Sequence, residues 1–394
     1  MKFIANKDLL LKALLHTRVI MPANISSCYL WANYYQFTLN GQTLTVTGTN
    51  GQIFISESIE LDDEPSGSPI PGNTFYIHSR SVKILKALEE QPLEFTVEEY
   101  QLTVNHSSGY FRVPLMELAY PERKDIDYSE ANHLCMEAPG LHSWLSKVSF
   151  AATKDEFRPV MGGVFFESEK DRINVSATDA HILMCLSKIC QEPNSSTFSF
   201  IMPKQVADIL CKILPTTGYC ELFQRDKTAR LVIEDSLQVD FVCIDGRYPN
   251  YKSVIPGMFA STFSVDRKQL LKAISRLQFF CSSSTQSVKI NVKDTPRHDQ
   301  LTVSSRNVDE NTISQEKVEC EFIKGADAFK EGLLVKIPFL TRVISKLPAD
   351  RVTFHVQDSS RACALKPTPA SEKEDITAIV MPLMQSDYDQ FDSL

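Results

Sequence analysis

The chain lacks most of the features by which catalytic or membrane proteins are recognised. Its 394 residues contain no phosphate-binding glycine loop, nucleophile elbow or HExxH motif. No apolar run approaches the roughly 18 residues of a membrane-spanning helix. Charged residues interrupt the apolar segment at the amino terminus, unlike a signal peptide. We therefore expect a cytoplasmic protein without a cofactor, and an enzyme with a reactive Cys or His has no motif in its favour.

Glycine, proline and paired cysteines are also scarce. With 14 Gly and 20 Pro, collagen-like and low-complexity classes are excluded. The ten cysteines are scattered, with no CxxC pair and no histidine cluster at metal-ligand spacing. We expect reduced thiols, no metal site and no disulfide framework. The hydrophobic content of 43% is enough for two to four domains, each with its own core.

One segment occurs three times at a nearly constant spacing. LTVTGTNG (44–51) is echoed by INVSATDA (173–180) and by LTVSSRNV (301–308), at offsets of 129 and 128 residues. Each copy alternates apolar and polar residues, as a half-buried strand does, and then enters a small polar turn. Internal similarity at a fixed period indicates repeated structural units.

Two amphipathic helices accompany each copy. The first helices are predicted at 6–21, 138–153 and 266–281, and the second at 79–90, 203–214 and 338–347. The last two begin with Pro, which suits a first helical position. Short strands fill the remainder, so each unit is expected to pack two helices on antiparallel sheets. The predicted α+β chain has domains 1–125, 126–256 and 257–384 and a mobile acidic tail 385–394.

Charge is distributed unevenly between the predicted helices and the rest of the chain. The formal net charge is −8, yet sixteen Lys or Arg and only five Asp or Glu lie in the predicted helices when these are counted over 7–20, 79–90, 141–154, 203–214, 265–278 and 338–347. A basic face on one helix is usually only a solvated surface. Six helices with the same bias indicate a cationic surface, which attracts a phosphate backbone without reading its sequence.

Several motifs resemble the bacterial DNA polymerase III beta subunit family, the DNA sliding clamps. They are SATDAHIL (176–183), IDGRYPNYKSVIP (244–256), FRPVMGGVFFE (157–167), the opening MKFIANKDLLLKAL and the ending IVMPLM (379–384). The resemblance spans essentially the whole chain. It implies a head-to-tail homodimer whose six domains form a ring, with helices lining a hole around duplex DNA. Such a ring is a non-catalytic processivity factor that tethers the replicative polymerase.

The resemblance also implies roles for individual residues. Basic side chains on the helices would face DNA and hold phosphates loosely, namely Lys12, Arg80, Lys83, Lys86, Lys147, Lys154, Arg158, Lys204, Lys212, Lys272, Arg276, Arg342 and Lys346. In the family, a hydrophobic pocket between the second and third domains takes short linear peptides. Its partners would be the DNA polymerase III alpha subunit, the clamp loader and repair polymerases.

By motif, that pocket would be lined by Met161, Thr178, Ala180, His181, Ile182, Leu183, Pro249, Val254, Ile379, Met381 and Pro382. Met and aliphatic groups would form an adaptable floor, and polar atoms near Thr178 and His181 would fix an extended peptide. His181 with Asp179 leaves general acid–base chemistry open, and the apolar ending leaves an ordinary core open.

The resemblance assigns Phe279 and Phe280 to the subunit interface. Two adjacent aromatics cannot both face one helix's core, which agrees with that role. The alternative is a helix end with one Phe buried in its own domain.

The chain departs from the family pattern at several positions. Asn24 stands where an Arg is usual, Ala180 replaces Gly, Ile182 replaces Arg and Met161 replaces Leu. The change at Asn24 puts one DNA contact in doubt, and the three pocket changes favour more apolar partner peptides. Asn24 and Ile182 leave open a paralogue dedicated to repair or a mobile element. The tail QFDSL (390–394) loosely resembles a clamp-binding peptide and could occupy the pocket as a tethered competitor.

Overall fold

A computed structural model describes residues 1–22, 28–68, 70–190, 197–292, 299–307, 310–325, 332–371 and 374–384. Asn24 and the acidic tail 385–394, for which the sequence makes predictions, lie outside the described residues.

The described part of the chain contains six α-helices and twenty-four strands. The helices are α1 (Lys7–Arg18), α2 (Val82–Ala87), α3 (Ala138–Val148), α4 (Lys204–Ile213), α5 (Arg267–Leu277) and α6 (Ile337–Lys346). The strands are β1 (Lys2–Asn6), β2 (Tyr34–Asn40), β3 (Thr43–Thr49), β4 (Ile53–Glu60), β5 (Thr74–His78), β6 (Pro92–Val97), β7 (Gln101–His106), β8 (Gly109–Pro114), β9 (Asn132–Glu137), β10 (Gly163–Ser168), β11 (Arg172–Thr178), β12 (Ile182–Ile189), β13 (Phe198–Pro203), β14 (Tyr219–Arg225), β15 (Thr228–Ile233), β16 (Leu237–Val242), β17 (Ser261–Asp266), β18 (Ser287–Val292), β19 (Gln300–Asn307), β20 (Thr312–Lys324), β21 (Leu333–Lys336), β22 (Arg351–Val356), β23 (Cys363–Thr368) and β24 (Glu374–Val380).

The same arrangement of eight strands and two helices occurs three times along the chain. In the first repeat, strands pair in the orders β1-β6-β7-β8 and β5-β2-β3-β4. The second repeat has β9-β14-β15-β16 and β13-β10-β11-β12, and the third has β17-β22-β23-β24 and β21-β18-β19-β20. The three similar sequence segments fall on β3, β11 and β19, which occupy equivalent places. The predicted α+β fold with three repeats of two helices on antiparallel sheets is confirmed.

Tertiary contacts group the chain into two compact units. The first contains Met1–His142 and Gln205–Cys243, and the second contains Ser143–Lys204 and the described residues from Ile244 onward. Within the first unit β4 pairs with β16, and within the second β12 pairs with β24, so each unit has sheet strands from two repeats. The middle repeat therefore contributes to both units, and the division at 125, 256 and 384 stays a prediction.

The helices are shorter than predicted, for local reasons. α1 and α5 begin after Asn6 and Asp266, whose side chains accept hydrogen bonds from backbone N–H groups of the first turn. α2 follows a 3-10 turn and ends at Ala87, because the backbone of Leu88 is extended. Pro203 is the last residue of β13 and precedes α4, which corrects the prediction, whereas Pro338 lies in the first turn of α6 as predicted.

Each longer helix covers its sheet with an apolar face. α5 buries Leu270, Ala273, Ile274 and Leu277, which recur at the spacing of one helical face. Among the described residues, no helix has the length and apolar character needed to cross a membrane, and no three metal-ligating side chains lie together. All ten cysteines carry thiols, four of which are buried.

Candidate functional site

The turn between β11 and β12 is held by its own hydrogen bonds. The hydroxyl of Thr178 donates to the carbonyl of Ile182 at 2.7 Å and accepts from the N–H of Ala180 at 3.1 Å. One carboxylate oxygen of Asp179 accepts from the N–H groups of His181 and Ile182, at 3.0 and 2.9 Å. The hydroxyl of Thr178 therefore already donates one hydrogen bond and accepts another within the turn. A ligand would have to form its hydrogen bonds with other polar groups.

The first repeat contains a turn with the same hydrogen bonds. Thr49 donates to the carbonyl of Ile53 at 2.7 Å and accepts from the N–H of Gly51 at 2.9 Å. Asn50 takes the place of the aspartate and accepts from Gln52 and Ile53. Gly51 has φ +90, and the equivalent Ala180 has φ +73, in the left-handed region that favours glycine. The two turns share one structure built from different residues.

An apolar cluster occupies one face of the sheet beside the β11–β12 turn. Its buried members are Leu183, Ile201, Tyr248, Tyr251, Ala362, Ala364 and Ile379, and its partly buried members are Val160, Phe165, Cys185, Ile244, Ile255, Phe259 and Met381. Leu183 and Ile379 are cross-strand partners, and Ala364 lies opposite Ile379 on the other side. The two alanines are small beside bulky neighbours, and Met381 is partly exposed, so the cluster can accept apolar side chains from a ligand.

Strand alternation separates Ile182 from this cluster. Ile182 precedes Leu183 on β12, so its side chain points to the opposite face of the sheet. It is 1% exposed and is not a member of the cluster. That Ile182 lines the pocket stays a prediction. Leu183, Ile379 and Met381 all belong to the cluster.

The other predicted pocket residues lie around the turn and the chain that follows β24. The N–H of Met381 donates to the carbonyl of His181 at 2.9 Å, which holds the segment after β24 against the turn. The ring of His181 stacks on Phe339 with centroids 5.0 Å apart. Val254 is 46% exposed, and half-buried side chains are those of Met161, Pro249 and Pro382.

Sequence reasoning missed the aromatic members of the cluster. Tyr248 stacks on Phe165 with centroids 4.7 Å apart, and Tyr251 meets the same ring edge-on. Both tyrosines belong to the motif YPNY, which also contains the predicted pocket residue Pro249. Their closeness to Pro249 in the sequence could have indicated that they belong to the same site. Phe165 is a cross-strand partner of Ser176 on β11, a relation that only the sheet register supplies.

A charged network anchors the segment that carries Val254. Lys252 lies 2.7 Å from a carboxylate oxygen of Glu167 and 2.9 Å from one of Glu169. The hydroxyl of Tyr251 donates to Glu167 at 3.2 Å. Burial alone would lower the pKa of Lys252, but its bonds to the two glutamates outweigh burial and raise it. These contacts fix the 3-10 turn Tyr251–Val254 against β10.

The α-helices carry a strong excess of positive charge. The six helices contain fourteen Lys or Arg and two acidic residues, Asp8 and Asp208. Ten of the thirteen predicted DNA-facing residues are exposed: Lys12, Arg80, Lys83, Lys86, Lys154, Arg158, Lys212, Lys272, Arg276 and Lys346. Lys154, Arg158 and Arg80 lie in loops or a 3-10 turn next to the helices.

Some of these cations already have partners. Lys147 pairs with Glu374 at 2.9 Å, and Arg276 forms two bonds with Glu316 at 2.7 and 2.5 Å. Arg342 contacts Asp179 and the carbonyl of Phe150. Lys147, Lys204 and Arg342 are half-buried. A phosphate would compete with these carboxylates, so the exposed lysines are the better candidates for loose contacts.

Phe279 and Phe280 lie in a 3-10 turn immediately after α5. Their exposed fractions are 79% and 44%, so neither is buried in its own unit. The alternative of a Phe buried at the helix end is therefore excluded. In the first unit, an apolar cavity is lined by residues of α1, α2 and β5 to β8, including Val82, Leu85 and Phe111.

Comparisons with known proteins show which family the chain resembles. Residues 136–250 match the family described as "DNA polymerase III beta subunit, central domain", and residues 252–384 match its C-terminal domain. The "Beta sliding clamp" of Treponema pallidum is 22% identical over 97% of this chain and 99% of that protein. That of Streptococcus pneumoniae is 24% identical over 97% and 98%.

Solved structures agree in fold. The DNA polymerase III subunit beta of Pseudomonas aeruginosa has a TM-score of 0.84 at 19% identity, covering 98% of this chain and 100% of that chain. The sliding clamp of the same organism bound to griselimycin has a TM-score of 0.84 at 20% identity, covering 98% and 99%. The fold and the site therefore define a sliding-clamp type of protein. The chain belongs to the DNA polymerase III beta subunit family.

Proposed function

We propose that the protein is a DNA sliding clamp, a non-catalytic ring that encircles duplex DNA in the cytoplasm. It tethers the DNA polymerase III alpha subunit, the clamp loader and repair polymerases through short linear peptides. The observation that carries the proposal is the threefold repeat, in which β8 and residues 312–319 of β20 lack, among the described residues, the strand partner that their equivalents in the other repeats have. The positive charge of the helices supports it. The relatives named above are beta sliding clamps, which gives no support to a paralogue dedicated to repair.

The repeat itself suggests how two copies join. In the first unit β16, the last strand of the second repeat, pairs with β4, and in the second unit β24 pairs in the same way with β12. By that rule β8, the last strand of the first repeat, would pair with β20 of the third. β8 is a sheet edge, and residues 312–319 of β20 pair on one side only, with β19, among the described residues. A head-to-tail homodimer supplies both missing pairs and closes a ring.

Apolar contacts would strengthen the same interface. Exposed Phe279 and Phe280 of one subunit require an apolar surface on the other, and the partly buried apolar side chains of β8, such as Phe111 and Val113, are the candidates. Buried aromatics at the centre of an interface commonly dominate its binding energy. Closure into a ring also covers the edge of β8, which otherwise is free to pair with other proteins.

The helices would line the hole of that ring. Exposed cations such as Lys83, Lys86 and Lys272 attract phosphates without fixing the register of the DNA. Retention then depends on topology, so weak and exchangeable contacts favour sliding.

The apolar cluster beside the β11–β12 turn would be the peptide pocket. An extended peptide with Leu or Phe anchors would place them over Leu183, Ile379 and Met381. Because such a contact is small, we expect micromolar affinity, about −8 kcal/mol.

An anisotropy titration of a labelled Gln-Leu-Asp-Leu-Phe peptide tests the pocket. Wild type should bind at about micromolar concentration, and a Met381→Ala/Pro249→Ala variant should lose most of that binding. Ile189→Ala, at an exposed position on β12, is the matched control. Equal binding by all three proteins would place the peptide elsewhere and contradict the proposal.

A further inference from the structure

Arg342 on α6 is held on two sides by other segments of the second unit. Its guanidinium donates to the carbonyl of Phe150 and lies 5.7 Å from the centre of the same residue's ring. Another guanidinium nitrogen lies 3.5 Å from Asp179 in the β11–β12 turn. Because the donors of a guanidinium are fixed in one plane, simultaneous partners fix its orientation.

Asp179 carries a charge that the turn itself does not require. In the first repeat, Asn50 makes the same two backbone hydrogen bonds with a neutral side chain. The side chain of Asp179 is 13% exposed, and the cation paired with it among the described residues is Arg342. A carboxylate with so little access to water gains from a nearby cation. The charge at position 179 therefore serves the contact with α6.

A second contact joins α6 to the same turn. Phe339 lies three residues before Arg342, on the same helix face, and stacks on His181. The carbonyl of His181 in turn accepts the N–H of Met381, whose side chain belongs to the apolar cluster. The contacts thus run from α6 through the turn to the pocket floor.

We propose that Arg342 is a positioning residue of the peptide pocket, acting through Asp179 on the turn that holds Met381. The inference rests on the proposed peptide-binding function. It gives Arg342 a different use from the phosphate contact that the family resemblance implies. Without the ion pair, the turn depends on the stacking of His181 on Phe339 for its attachment to α6 and is held less firmly, so a bound peptide must order it.

Peptide titrations of single and double variants test this inference. Arg342→Gln and Asp179→Asn should each weaken the Gln-Leu-Asp-Leu-Phe peptide about five- to tenfold, and the double variant should be no weaker than the weaker-binding single variant. Asp179→Asn keeps the turn, as Asn50 does in the first repeat. Arg342→Lys, which retains the charge, should recover part of the affinity.

Lys268→Gln is the matched control, because Lys268 is an exposed cation on α5 of the same repeat. Its peptide affinity should stay within about twofold of wild type. A general loss of stability would lower the melting temperature and the fraction of active protein without changing Kd.

Two results would overturn the inference alone: wild-type affinity in Arg342→Gln, or additive effects in the double variant. Absence of peptide binding by folded wild type would overturn the proposed function and this inference together.

Discussion

Single residues in the β11–β12 turn show how one backbone accommodates different side chains. Asp179 and Asn50 make equivalent hydrogen bonds in the second and first repeats, whereas Ala180 adopts a conformation that glycine takes in the first. The segment INVSATDA (173–180) predicted a strand that enters a small polar turn here. It did not reveal that Ile182 faces away from the cluster, because that depends on the register at which β12 begins.

Ala180→Gly is expected to stabilise the protein. At φ +73 an alanine side chain crowds its own backbone, which costs about 1 kcal/mol relative to glycine. The melting temperature should rise by about 1 °C in a chain of this size. The reciprocal variant Gly51→Ala should lower it, since a Cβ there would lie 3.3 Å from Trp31. A lower melting temperature for Ala180→Gly would show that the turn is not strained.

Glu374 is expected to make a pH-dependent contribution to the stability of the folded state. Burial raises the pKa of this carboxyl, but hydrogen bonds from Lys147 and Trp144 outweigh burial and lower the pKa below its ordinary value of 4.5. A lowered pKa stabilises the folded state above pH 4.5, and this contribution disappears as the pH falls through the lowered value. Lys147→Met should therefore reduce the melting temperature at neutral pH and reduce it less in acid.

The matched control for Lys147→Met is Lys212→Met, because Lys212 is exposed near the end of α4. Melting curves at about pH 7, 5 and 3 provide the measurement. A difference between Lys147→Met and wild type that stays constant over this range would contradict the role of Glu374.

At the scale of elements, the helix positions and the alternating strands followed from the sequence. Apolar spacing placed the start of α1 and the start of α5 within a few residues of the observed positions. Charged contacts such as Lys252 with Glu167 could not be predicted, because they join residues far apart in sequence. The aromatic floor at Phe165 was missed for the same reason.

The 3-10 turn after α5 is expected to hold two subunits together. Phe279→Asp/Phe280→Asp should convert a dimer of twice 44.5 kDa to monomer, because a charge cannot enter an apolar receptor without a partner. Both side chains are exposed in the single chain, so the fold of the subunit should persist. Sedimentation velocity measures the change. Ile189→Asp, at another exposed apolar position, should remain dimeric; monomer formation by both variants would remove the specific role of the aromatic pair.

Helix α2 is expected to contribute to DNA binding through charge alone. Lys83→Gln/Lys86→Gln should weaken binding to any duplex sequence and make the dependence of log K on log salt shallower, by about 0.9 for each phosphate that is no longer neutralised. Fluorescence titrations at several salt concentrations measure both effects. Lys170→Gln/Lys227→Gln removes two lysines from turns between strands and should leave the slope unchanged. Equal slopes for all three proteins would exclude α2 from the DNA-facing surface.

At the scale of the whole molecule, the spacing of 129 and 128 residues predicted three repeats before any tertiary structure was known. Which strands join neighbouring repeats could not be predicted. The pairing of β4 with β16 and of β12 with β24 depends on which strand edges remain unpaired after each sheet forms. Local sequence patterns contain no information about those edges. The same two pairings now predict that β8 and β20 meet between subunits and close the ring.

An order-of-addition experiment on linear DNA tests the ring most directly. A duplex carries biotin at both ends, and streptavidin blocks the ends either before or after the protein is added. A ring threads over free ends and is then trapped, so protein should co-elute with the DNA only when it is added before streptavidin. Equal co-elution in both orders would mean that the protein binds the side of the duplex, and would contradict the sliding-clamp account.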